Sequence, residues 1–106
     1  MIKIEKWDNI LAMNSYFFEK KTPTEINKII AERLRGIRRR RKISQKKLSE
    51  KSGVSLGSLK RFEQSGEISL LSLTKIAVAL GLENEIESLF EEAPFLSIEE
   101  VIHDKN

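Results

Sequence analysis

An all-α domain of five helices is the fold this chain of 106 residues predicts. Three observations carry it. Serine or threonine stands at candidate N-caps ahead of each apolar stretch, at Thr22, Ser44, Ser55 and Ser69. Apolar residues within the stretches recur at helical spacing. Glycines stand where the stretches must stop, at Gly53 and Gly81, with Gly66 marking another turn. A side-chain oxygen at an N-cap accepts from the open N–H groups of the first turn. A glycine after the last turn takes the left-handed conformation that closes a helix. The length suits one domain with a single core. The reading divides the chain into an N-terminal extension (1–21), a helical domain (22–90) and a C-terminal tail (91–106).

Residues 1–21 carry the least pattern. Ile2 and Ile4 alternate with Lys3 and Glu5, a weak sign of a short strand. From Asp8 to Lys20, Ile10, Met13 and Phe17 fall on one helical face with Asp8 as cap. The segment reads either as that amphipathic helix or as a partly ordered arm. The first domain helix is clearer. Thr22-Pro-Thr-Glu25 is a capping box with proline at the first helical position. Ile26, Ile29, Ile30, Leu34 and Ile37 follow as one apolar stripe. Gly36 lies inside this helix at a cost of roughly 1 kcal/mol, and close packing is one reason for it. The second helix runs from the Ser44 cap to about Ser52 on Leu48. The third runs from the Ser55 cap to about Glu63 on Leu59 and Phe62. The fourth starts at Ser69 and turns Leu70, Leu73, Ile76, Ala77 and Leu80 inward. Asn84-x-x-Glu87 resembles the start of a fifth helix, with Ile86, Leu89 and Phe90 as its apolar face and Pro94 as its breaker. Ser97-x-x-Glu100 opens a final short turn.

The net charge of +3 conceals an asymmetry. Thr24 to Arg61 holds 13 Lys and Arg against 3 Glu, a balance of +10. Phe62 to Asn106 holds 2 Lys against 10 Asp and Glu, a balance of −8. The basic half suits a polyanion. The chain has no cysteine, so neither a disulfide framework nor a thiolate metal site is expected. No apolar run reaches the roughly 18–20 residues of a membrane span, and the first residues lack the apolar stretch of a signal peptide. A soluble, cytoplasmic protein without membrane contact is expected. The only histidine, His103, stands in the polar end, and no phosphate loop, metal-ligand spacing or nucleophile–base set is present. Neither catalytic nor cofactor residues are assigned, and an enzyme is the least favoured class.

The informative segment is Ser44-Gln-Lys-Lys-Leu-Ser-Glu-Lys-Ser-Gly53-Val-Ser-Leu-Gly-Ser-Leu-Lys-Arg-Phe-Glu63. It reads as two short helices meeting at a Gly-Val turn, their crossing fixed by Leu48, Val54, Leu59 and Phe62. The outer face of the second then projects, and such a helix fits the major groove of DNA. From about Ile30 to Leu82 the chain resembles the Cro/CI-type (xenobiotic-response-element, XRE) helix-turn-helix regulators, whose domain is lambda-repressor-like. The resemblance lies in Glu32-Arg-Leu-Arg35, Ile43-Ser-Gln45, Gly53-Val-Ser55, Phe62-Glu-Gln-Ser-Gly66, Ser69-Leu70 and Ile76-Ala-Val-Ala-Leu-Gly81. One departure is Ser49, where the family usually has alanine between the two helices; it is expected to alter stability and leave the fold.

The resemblance implies roles. Gln45 would bond a phosphate and brace the recognition helix. Leu56 and Gly57 are the first exposed positions of that helix, and Arg61 follows one turn later. Arg61 is the best candidate for base readout, since a guanidinium matches guanine O6 and N7 with two bonds. Leu56 suits a thymine methyl, and Gly57 would allow close backbone approach or is merely tolerated in a first turn. Ser55, Ser58 and Lys60 suit phosphate contacts, with Gln64 and Ser65 as lesser candidates. Of the run Arg38–Lys42 only part can face one groove, because adjacent helical residues point about 100° apart. Arg38 and Arg41 are the expected phosphate contacts; otherwise the run is a solvated or partner-binding face. The expected partners are double-stranded DNA and a second copy of the chain, giving a homodimeric repressor. The tail Leu89–Glu100 is weakly similar to HipB-like antitoxins, which implies a HipA-like kinase toxin as an alternative partner. Its apolar residues Leu89, Phe90, Phe95, Leu96, Ile98, Val101 and Ile102 are expected to pack in part on the domain or on a second subunit.

Overall fold

Local caps set where each helix begins. A computed structural model describes residues 20–104; the strand and helix expected within residues 1–19 lie outside them. Helix α1 spans Pro23–Arg40. The Thr22 hydroxyl accepts from the Glu25 N–H at 3.1 Å and the Glu25 carboxylate accepts from the Thr22 N–H at 3.4 Å, the reciprocal box read from the sequence. Helix α2 spans Gln45–Ser52 behind the Ser44 cap and ends at Gly53 with φ 76°. Helix α3 spans Leu56–Ser65 behind Ser55 and ends at Gly66 with φ 80°. Helix α4 spans Leu70–Ala79 behind Ser69. Helices α5, Glu83–Glu87, and α6, Ile98–Asp104, follow. Among the described residues the fold is thus all-α with six helices. None of these is long and apolar enough to cross a membrane.

Helix α1 packs on α3, α2 packs on α3 and α4, and α4 packs on α5. One core lies between them. Ala31, Leu48, Val54, Leu59, Phe62, Ile76 and Leu80 are buried in it, and Leu34, Ile43, Ile68, Leu73, Ala79 and Leu82 close its edges. Removing a Leu- or Phe-sized side chain from water is worth about 1.5–3 kcal/mol, so Leu48, Leu59, Phe62 and Ile76 dominate the packing. The Gly-Val turn is tied by side chains as well. The Ser49 hydroxyl donates to the Val54 carbonyl at 2.6 Å, and the Val54 N–H donates to the Ser52 hydroxyl at 3.1 Å. The serine that departs from the family pattern therefore finds a partner across the turn.

Three sequence expectations are corrected. The apolar stripe of α1 is turned partly outward: Ile26 and Ile30 are 47% and 37% exposed, while Ala31 and Arg38 take the buried positions. Gly36 does not serve close packing, since a Cβ there meets only the Arg40 guanidinium at 3.7 Å. Helix α5 is one short turn without a side-chain cap, and Phe90 adopts φ 64° ahead of Pro94, so the helix ends before the proline. The packing expected of the tail is seen only in part: Leu89 lies beside Ile30, Leu34 and Ile37 of α1 and Val101 is half-buried, while Phe90, Leu96 and Ile98 are 88%, 93% and 78% exposed.

Candidate nucleic-acid interface

Helix α3 is held from behind. Leu59, Phe62 and Glu63 are buried, so at 100° per residue the opposite face carries Gly57, Lys60, Arg61 and Gln64, all exposed. Leu56 sits at the edge of that face, half-buried, and Ser58 flanks it, exposed. No described residue covers Gly57 or Arg61. A helix about 10–12 Å across with such an open face can enter a groove 12 Å wide, as the major groove of DNA roughly is.

Glu63 is the residue that sequence reasoning missed. It is buried, and its carboxylate gathers three helices. Arg38 of α1 donates to it through Nε at 2.7 Å and Nη2 at 2.9 Å. Gln45 of α2 donates through Nε2 at 2.9 Å. The third side of the Arg38 guanidinium donates to the Ile43 carbonyl at 2.8 Å. No buried side-chain nitrogen or oxygen among the described residues is left without a partner. A signal was available: Glu63 shares the inner face of α3 with Leu59 and Phe62, and a carboxylate there demands a cation.

This arrangement turns Arg38 away from the role of phosphate contact expected of it. Arg38 is only 8% exposed and its N–H groups are engaged inside the domain, so it is a structural residue rather than a groove contact. Arg41 is exposed, but its Nη1 donates to the Leu80 carbonyl at the end of α4. Gln45 braces the carboxyl-terminal half of α3 through Glu63. Its side chain is half-buried, and one amide hydrogen suffices for the bond to Glu63. Ser55 accepts from the Ser58 N–H at 3.2 Å and donates to the Ser58 hydroxyl at 2.9 Å, so Ser55 is occupied as the cap.

Arg61 projects from the open face with 72% of its side chain exposed, beside Glu67. Its Nε and Nη2 both donate to one carboxylate oxygen, Oε2, at 2.8 and 2.6 Å. The Ser65 hydroxyl donates to the Arg61 carbonyl at 2.7 Å and accepts from the Glu67 N–H at 3.2 Å, which fixes the turn between them. Gly66 makes that turn possible. It lies at φ 80°, and a Cβ there would meet the Asn27 and Lys28 backbone of α1 at 2.7–2.9 Å.

Comparison with known proteins agrees with this geometry. A helix-turn-helix family matches residues 34–83, from the middle of α1 to the start of α5. No curated protein and no solved structure matched the chain. The matched stretch, just under half of the chain, contains the two-helix unit, the left-handed glycine between its helices and the helices that support it, and it supports a DNA-binding helix-turn-helix of the Cro/CI (XRE) type.

Proposed function

We propose that α3 lies in the major groove of double-stranded DNA and that the protein is a homodimeric repressor. The outward face of α3, held rigid by the Glu63 cluster, carries this reading. Arg61 reads guanine, Leu56 contacts a thymine methyl, and Gly57 lets the backbone approach the base edges. Phosphate contacts come from Gln45, Ser58 and Lys60, with Arg41 adding charge. The chain's basic stretch supplies the sequence-independent attraction. One such helix covers only a few base pairs. Two copies placed about 34 Å apart read a near-palindrome and gain affinity together, and occupancy of a promoter then blocks transcription. Residues 22–90 form the DNA-binding unit, and residues 91–106 the contact tail.

The exposed Phe90, Leu96 and Ile98 favour a second reading. In it the protein is a HipB-like antitoxin whose tail docks on a HipA-like kinase toxin, with repression retained. Enrichment of binding sites from random duplexes, paired with sedimentation of the protein, tests both. The repressor reading expects an inverted repeat and a dimer that dissociates when residues 91–106 are removed. A monomer at all concentrations, forming a stable complex only with a co-expressed kinase, supports the antitoxin reading. Absence of any enriched motif rejects base readout.

A further inference from the structure

We infer that Glu67 is a positioning residue that sets the base specificity of Arg61, an inference that rests on the proposed DNA contact of that arginine. A guanidinium has five N–H groups in a fixed planar fork. Here Glu67 Oε2 takes the Nε hydrogen and one Nη2 hydrogen, at 2.8 and 2.6 Å. The side edge of the fork is engaged. Both Nη1 hydrogens and the second Nη2 hydrogen are left, and they include the end-on pair, parallel N–H groups matching guanine O6 and N7. Glu67 therefore occupies the edge that guanine does not need and leaves the edge that it does.

The backbone that carries the carboxylate is itself held in place. Gly66 is locked against the α1 backbone, and the Ser65 hydroxyl bridges the Arg61 carbonyl and the Glu67 N–H. The ion pair is thus carried on a fixed turn. A free arginine would lose rotamer freedom on binding, and one already aimed loses less. The pairing also offsets the charge of Arg61. It weakens that residue's attraction to any phosphate and leaves its directional N–H groups for a base. Orientation and charge both act on discrimination. Since both side chains are well exposed, 72% and 62%, the pair adds little to folding stability, and Glu67 can be replaced without loss of the fold.

The test uses the full chain, labelled duplexes carrying the enriched site, the same site with its Arg61-dependent guanine changed, and random duplex. Glu67→Ala is expected to lower the preference for that guanine about tenfold. It is also expected to tighten binding to random duplex, with a salt slope steeper by roughly 1. Thermal unfolding stays unchanged, and in an Arg61→Ala background the second substitution alters the preference no further. Unchanged preference in Glu67→Ala, while Arg61→Ala abolishes it, overturns the role of Glu67 and leaves the DNA reading standing. Tighter binding to the enriched site with the preference intact also overturns it, because Glu67 is then only a competitor for Arg61. Unchanged preference in Arg61→Ala itself removes the underlying reading of Arg61, and this inference with it.

Discussion

Replacing Glu63 with alanine is expected to remove about a quarter or more of the domain's stability. The Glu63 side chain is 4% exposed, and its carboxylate accepts two bonds from Arg38 and one from Gln45. Without it the Arg38 guanidinium keeps only the Ile43 carbonyl, in surroundings that exclude water. An uncompensated buried charge costs about 3–5 kcal/mol. Loss of the Gln45 bond adds about 1 kcal/mol. Domains of this size are stabilised by about 5–15 kcal/mol, and at about 4–8 °C per kcal/mol the melting temperature should fall by roughly 15–50 °C. Arg38→Met leaves the Glu63 carboxylate with the Gln45 amide and the Arg35 guanidinium 3.9 Å away, so it should cost less, about 2–3 kcal/mol. Arg38→Met with Glu63→Leu removes both charges and fills the space, so it should recover at least half of the single loss, about 2 kcal/mol or more. Urea unfolding followed by far-ultraviolet circular dichroism measures all three variants. A loss below about 1 kcal/mol in either single variant, or a double variant that loses the full sum, would refute the claim that this pair fastens α1 to α3.

Further outcomes follow from the glycines and the basic face. Gly66→Ala should destabilise by about 2–5 kcal/mol, from the left-handed backbone and the collision with α1 together. Gly53→Ala, where a Cβ meets nothing within 4 Å, should cost only the backbone part, about 1–2 kcal/mol; equal losses at the two sites in urea unfolding would contradict the packing of Gly66. Gly36→Ala should stabilise by about 0.5–1 kcal/mol, because α1 gains helix propensity and the new methyl meets no backbone; a lower unfolding midpoint would mean that α1 is crowded there. Lys60→Ala should weaken binding to specific and random duplexes alike and lower the salt slope by roughly 1; a change confined to one base position would make Lys60 a reader of sequence.

Much of the fold was legible because helix starts are local. Thr22, Ser44, Ser55 and Ser69 each cap an N–H three residues on, so spacing alone locates them. The left-handed glycines at 53, 66 and 81 are equally local. The outward placement of Gly57 and Arg61 follows from Leu59 and Phe62 pointing inward. What was missed depends on distant partners. Arg38 looked like one more cation in a basic run, and only Glu63, 25 residues away on a packed helix, makes it structural. The inner face of α1 was placed only in part for the same reason: Leu34 and Ile37 turn inward as expected, but Ala31 and Arg38 take its buried positions while Ile26 and Ile30 look toward solvent. Glu67 meets Arg61 across a helix end, where the helical spacing rules stop applying. The tail's apolar residues promised a packing partner, but none among residues 20–104 covers Phe90, Leu96 or Ile98.

The account turns on which surface meets DNA. Amide shift mapping of the isotope-labelled chain, titrated with its enriched duplex, addresses that surface directly. The largest changes are expected at the backbone amides of Leu56, Gly57, Ser58 and Arg61 and at the side-chain amide of Gln45. Changes confined to α5, α6 and the outer side of α1, with α3 undisturbed, would contradict it.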